Sequence, residues 1–235
     1  MEVGSRIQLK HETWSFADTI EHFDEHILQS IPNCQQQREY IASLARFFLH
    51  AGAIVIEIGV STGALAQAVL ARMPERPLRY LGIDIEPEMI RLARRNLAHD
   101  PRFSALEAHA GDIDFETPAL VISYYTLQFL PLPERIALIR RIYDALEPGG
   151  AFILYEKTLG ENARVQDMLT QLYYDFKAEQ GLSPEAILNK AVSLRGVSMP
   201  LSLGGNSGLL LEAGFGCVEL LFRSYCFAGY LAIKE

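Results

Sequence analysis

The sequence predicts a doubly wound α/β fold: a mostly parallel Rossmann-like sheet with N-terminal helices, a helical insertion and one antiparallel strand near the C-terminus. Three observations carry this. Short β-branched runs alternate with helical patterns between residues 53 and 155. The first three strand-like runs lead into small or acidic residues, at Gly59, Asp84 and Gly111-Asp112. Near the C-terminus two strand-like runs follow each other across a short connection, which makes them antiparallel neighbours.

The elements follow in order. Ile20, Phe23, Ile27 and Leu28 form one stripe and Pro32 closes it, predicting a helix over 18–30. Tyr40, Leu44, Phe47 and Phe48 recur at helical spacing and predict a second over 36–50. Ala53 to Ile58 is a nearly continuous apolar run ending at Gly59, as in a strand buried on both faces. Helix 64–73, strand 79–84, and helix 87–98 with Pro87 in its first turn come next. Strands are predicted at 103–110 and 120–123, a helix at 134–146 stopped by Pro148-Gly149-Gly150, and a strand at 151–155. Val165, Met168, Leu169, Leu172, Tyr173 and Phe176 then break the alternation with a helical pattern over 161–195. Strands at 218–222 and 227–233 close the chain.

The 235 residues fit one domain, 1–235, with 1–50 as a helical arm or cap and 158–208 as the insertion. Hydrophobic residues at 49% and charged residues at 21% suit a globular protein. No apolar run spans a bilayer and no basic, then apolar, leader opens the chain, so a cytoplasmic location without membrane contact is expected. Cys34, Cys217 and Cys226 are scattered, which argues against a disulfide framework or zinc site. His11, His22 and His26 lie near one another without an evident third ligand, so no metal is expected. The net charge of −8 disfavours a direct nucleic-acid partner. Arg91, Arg94 and Arg95, and Arg135, Arg140 and Arg141, have spacings that suit solvated helix faces.

Ligands of open α/β sheets sit at the carboxyl ends of the strands. Small residues at Gly59, Ser61 and Gly63 allow a tight turn and close approach of a ligand, or simply a tight strand–helix connection. Glu57 offers negative charge to a cationic amino group. The spacing is neither a phosphate loop nor the dinucleotide fingerprint. Asp84 can accept two ribose hydroxyls, or can cap the following helix. Asp112 can accept from an adenine amino group while Ile113 packs on the ring, or can be a plain turn aspartate.

This set resembles the class I S-adenosylmethionine (SAM)-dependent methyltransferases. The strings Thr13-Trp14-Ser15-Phe16, Gln29-Ser30-Ile31-Pro32, Thr126-Leu127-Gln128-Phe129-Leu130, Leu146-Glu147-Pro148-Gly149-Gly150, Tyr174-Asp175-Phe176-Lys177 and Ala213-Gly214-Phe215 are similar to those of the carboxy-SAM synthase family, whose product serves tRNA wobble modification. The resemblance implies SAM as cofactor, a homodimer, and cofactor contacts at Gly59, Val60, Ser61, Asp84, Ile85, Asp112 and Ile113. Glu57, Gly63, Met89 and Tyr124 complete the expected cofactor set. The chain departs from that family's pattern at Cys34, Tyr124 and Gly208-Leu209, where the family carries Tyr, Asn and an Arg that pairs with the added carboxylate.

An aromatic, uncharged pocket is therefore expected, with Tyr124, Phe129 and Tyr174 at the reacting centre and Trp14, Tyr125, Gln128 and Tyr173 toward a small-molecule substrate. Aromatic faces attract a cation by roughly 0.5 to 2 kcal/mol each. Tyr155, Glu156 and Asp175 are the nearest candidates for a base. Methyl transfer to a small molecule is the first expectation. The alternatives are cyclisation of SAM to azetidine-2-carboxylate with release of methylthioadenosine, carboxy-SAM synthesis, and a non-catalytic SAM-binding module.

Overall fold

The computed structural model describes residues 23–235. Helices α1 (Phe23–Ser30) and α2 (Cys34–Ala45) lead into β1 (Ile54–Ile58), α3 (Ala64–Arg72), β2 (Arg79–Asp84), α4 (Pro87–Asn96), β3 (Phe103–Glu107) and β4 (Leu120–Tyr124). A 3-10 turn, Leu127–Phe129, precedes α5 (Leu132–Ala145) and β5 (Ala151–Leu159). Then come α6 (Ala163–Glu179), α7 (Pro184–Ser193), the short β6 (Leu201–Ser202), α8 (Leu203–Ala213), β7 (Cys217–Ser224) and β8 (Phe227–Ile233).

The sheet order is β3-β2-β1-β4-β5-β8-β7, with β6 beside the end of β5. Strand β8 runs antiparallel to β5 and β7, and the other pairings are parallel. This is the predicted sheet with its one reversed strand. The chain winds outward from β1 to β3, then returns to place β4 on the other side of β1, and this reversal opens a crevice at the carboxyl ends.

Alternate residues of a strand face opposite sides, so the central strands fill two cores. Val55, Leu120, Ile122 and Ile153 pack with Ile41, Leu65 and Val69 on one face. Ile56, Ile58, Val121, Phe152 and Leu154 pack with Leu138, Ile142 and Leu210 on the other.

Several predicted boundaries move. Helix α2 ends at Ala45, and β3 ends at Glu107, where its pairing with β2 stops at Asp84. Strand β5 continues past Tyr155 to Leu159 because β8 and β6 supply partners. Helix α8 was not predicted: Gly204, Gly205, Asn206, Ser207 and Gly208 are poor helix formers. Ser202 Oγ caps it by accepting the Gly205 N–H at 3.1 Å, and Leu210 anchors it in the core. The expected insertion at 158–208 contains α6, α7, the connector after them, β6 and the start of α8. In the expected 1–50 arm, Trp14, His11, His22 and the start of the first helix lie outside the described residues.

The arginine clusters are not simply solvated. Arg94 and Arg141 donate to main-chain carbonyls, of Ala105 and of Gly111 and Ile113 respectively. Arg135 is only 1% exposed. Among the described residues no helix is long and apolar enough to cross a membrane, and no cluster of His, Cys, Asp and Glu could hold a metal ion.

Candidate functional site

A cavity of about 540 Å³ opens at the carboxyl ends of β1, β2, β4 and β5. The first tip is built on strained backbone. Gly59 has φ +78°, and a Cβ there would lie 2.0 Å from Thr126 Oγ1. Ser61 adopts φ +51°, a conformation L-residues rarely hold without compensating contacts. Its N–H supplies one, donating to Asp84 Oδ2 at 2.9 Å, while Asp84 Oδ1 accepts the Glu86 N–H at 3.0 Å. Asp84 thereby steadies the start of α4 and the turn after β1 together. Each carboxylate oxygen keeps acceptor capacity for a ligand. Burial raises the Asp84 pKa, outweighing the N–H groups of Glu86, Ser61 and Ile85.

Glu57 is buried and accepts the Tyr80 hydroxyl at 2.7 Å. Burial pushes its pKa up to about 8, against the opposing pull of Tyr80 and Arg38. A cationic ligand group would favour its charged form.

The second half of the cavity is aromatic. Tyr125, at φ +61°, is held by its N–H donating to the Tyr155 carbonyl at 2.8 Å. The hydroxyls of Tyr124 and Tyr125 both donate to Gln37 Oε1, at 3.0 and 2.7 Å, and Gln37 in turn donates to the Pro32 carbonyl. Tyr173, from α6, donates to the Ser30 carbonyl at 2.9 Å. These protein acceptors take the hydroxyl protons. Burial raises all three tyrosine pKa values well above the usual range.

The cavity brings together Glu57, Gly59, Val60, Ser61, Asp84, Ile85, Met89, Tyr124, Tyr125, Gln128, Phe129 and Tyr173. It does not take in Gly63, Asp112, Ile113 or Tyr174. Gly63 packs on α4, where a Cβ would lie 2.6 Å from Leu97 Cδ1. Ile113 is turned into the core and Asp112 outward to solvent, because Arg141 pins the carbonyls on either side of them. His109 and its neighbours line that end instead. Tyr174 follows Tyr173 on a helix, a step of about 100° that points it away. Neither Tyr155 nor Glu156 lines the cavity, both being fully buried, and Asp175 is exposed on the outer side of α6. None of the three proposed bases reaches the space.

The expectation of an uncharged pocket is overturned: Arg38, Lys157 and Lys190 line it. Lys157 and the buried Lys177 approach the Tyr173 ring at 5.0 and 4.5 Å. Burial, reinforced by neighbouring lysines, lowers Lys177 to about 8 and Lys190 to about 7. Only Lys177 stood in a string that the sequence singled out. Lys157 lies past the predicted end of its strand, and Lys190 on a helix with no chemical motif.

Comparisons with known proteins show the family and the fold. Residues 55–150 match the model of a methyltransferase domain. The carboxy-S-adenosyl-L-methionine synthase of Staphylococcus epidermidis is 33% identical over 94% of this chain and 97% of its own. That of Escherichia coli O1:K1 is also 33% identical, over 94% and 91%. Human N-acetylserotonin methyltransferase, solved in complex with SAM, superposes with a TM-score of 0.63 at 21% identity. That match covers 94% of this chain, which spans only 56% of the human one. The YcgJ protein of Bacillus subtilis superposes with a TM-score of 0.64 at 13% identity, over 86% of this chain and 99% of its own. The solved structures show the shared fold.

Proposed function

From the premise that the chain belongs to the carboxy-SAM synthase family and is a SAM-dependent transferase, we propose that it alkylates a small acceptor bearing an anionic group. Methyl transfer is the reaction the site supports best. The observation that carries the reading is the division of one cavity into two chemically different ends. Asp84 on β2 and Lys157 on β5 are three strands apart, roughly 14 Å at ~4.8 Å per strand.

The residues present fit SAM. Asp84 has acceptor capacity for ribose hydroxyls, and Gly59 lines the cavity at a turn where a side chain would collide with Thr126. Ile85 and Met89 supply an apolar wall for the base. Glu57 and Arg38 offer opposite charges to the amino and carboxylate groups of the amino-acid portion. When bound, SAM supplies an electrophilic carbon on a positively charged sulfur. Tyr124 and Tyr125, their protons committed to Gln37, line the cavity with aromatic surface. They exclude water without offering a strong base, so rate comes from positioning. Lys157 and Lys190 attract the acceptor's anionic group and hold it against the aromatic stretch.

A second reading has a specific observation in its favour. The same lysines suit the carboxyl donor of the reaction for which the family is named. The purified protein, given SAM alone and then with candidate acids, separates the readings by mass spectrometry. Adenosylhomocysteine appearing only with an added acid supports methyl transfer. A SAM species heavier by a carboxylate, formed with prephenate, supports the second reading. Methylthioadenosine from SAM alone would mean intramolecular chemistry and defeat both.

A further inference from the structure

Arg135 is among the largest fully buried side chains of the described residues, although it carries a full charge and does not line the cavity described above. Burying a guanidinium costs several kcal/mol in desolvation, which directs attention to the hydrogen bonds it makes. Its Nη2 donates to two carbonyls 69 residues apart in sequence, Leu130 at 3.3 Å and Met199 at 2.9 Å. Leu130 belongs to the wall that follows the 3-10 turn, and Met199 ends the connector after α7. That connector supplies Leu194, Val197 and Ser198 to the cavity, and the Gln128–Pro131 stretch supplies the facing wall.

A third bond crosses the same seam. The Met199 N–H donates to the Gln128 carbonyl at 2.8 Å. The Gln128 side chain meanwhile accepts the Lys157 N–H at 2.9 Å and donates to the Tyr125 carbonyl at 3.2 Å. The buried Glu156 carboxyl lies near enough to couple electrostatically to the guanidinium and to the main-chain N–H groups of Leu127 and Gln128. The connector therefore has few apolar anchors of its own at this point and is held by a polar seam.

We infer that Arg135 is a positioning residue that clips the 194–199 connector onto the 128–131 wall, and so shapes the acceptor end of the cavity without touching any ligand. This deepens the proposed function but is testable without it. The seam lies on the β4–β5 side, away from Asp84, so the clip governs the acceptor end and leaves the ribose end alone.

Hydrogen exchange of the whole chain, with and without SAM, tests it in Arg135→Met and Arg135→Lys. Lys keeps the charge, but its shorter side chain does not carry a nitrogen as far as the Nη2 that bonds both carbonyls. In Arg135→Met, amides at 197–201 are expected to exchange on the order of tenfold faster, as for loss of a charge-assisted hydrogen bond. Arg135→Lys should fall between it and the parent. Amides of β1, β2 and α4 should be unchanged, and the SAM dissociation constant by calorimetry should move less than about twofold. Connector exchange equal to the parent's in both variants would overturn the clip. So would acceleration spread evenly over β4, β5 and α5, which would mark a purely structural charge. If Arg135→Met does not fold, Arg135→Lys decides by the same two criteria. Failure of the parent to bind SAM would defeat the proposed function, while the comparison of unliganded proteins would still judge the clip.

Discussion

Asp84 Oδ2 accepts the main-chain N–H of Ser61 at 2.9 Å, so the carboxylate at the tip of β2 is locked to the strained turn that leaves β1. One side chain thus holds the loop in shape and faces the cavity.

Removal of that carboxylate should therefore be costly for the ligand. Asp84→Ala is expected to weaken SAM binding by about 10- to 100-fold, as for loss of hydrogen bonds to a charged acceptor at ~1.5 to 3 kcal/mol. Asp84→Asn, which keeps one acceptor oxygen, should fall between. Calorimetry decides, and undiminished affinity in the Ala variant would move the nucleoside elsewhere.

Gly59 tests the close packing of the turn after β1 against Thr126. Gly59→Ala places a methyl group in a positive-φ residue, 2.0 Å from Thr126 Oγ1. Strain and overpacking together should cost roughly 2 to 4 kcal/mol. That corresponds to a melting temperature lower by on the order of 10 °C. SAM binding should be lost with it. A variant with the parent's melting curve would show that the turn has room the geometry denies.

Gln37 ties the aromatic wall together. Gln37→Leu strands the buried Tyr125 hydroxyl and leaves that of Tyr124 only the long contacts to Cys34, and should destabilise by about 1 to 3 kcal/mol. Adding Tyr124→Phe and Tyr125→Phe in that background removes the stranded groups, and should recover much of the loss in a denaturant titration. Strict additivity of the three changes would contradict the shared-acceptor network.

Stability should fall as pH rises toward 8. In the folded chain burial holds the Glu57 proton to about pH 8, whereas the ordinary carboxyl value is 4.5. The folded state binds that proton more tightly, so the stability it contributes is full below 4.5 and is lost as pH climbs through 8. Glu156 acts in the same direction for the same reason. Glu57→Gln is expected to remove part, not all, of the fall in melting temperature between about pH 5 and about pH 8. An unchanged slope would mean that Glu57 ionises near its ordinary value.

Much of this architecture was legible because its cause is local. Alternating β-branched runs such as Ile54-Val55-Ile56 must be buried on both faces, and the helices between them force parallel crossovers. Gly59 and Asp84 then fall at strand tips by topology alone. Helix α8 was illegible for the opposite reason: its glycines argue against a helix, and only the Ser202 cap and the packing of Leu210 make one.

The sequence by itself determined the sheet, the place of its crevice, and the loop and carboxylate that suit a nucleoside. Those depend on periodicity and chain order. Tertiary structure alone decided which side chains face the crevice. It turned Asp112 and Glu156 away, brought Arg38, Lys157 and Lys190 in, and buried Arg135 where the helix pattern suggested solvent. The physical reason is that a side chain's direction is settled by the partners that desolvate it, and those partners come from distant parts of the chain.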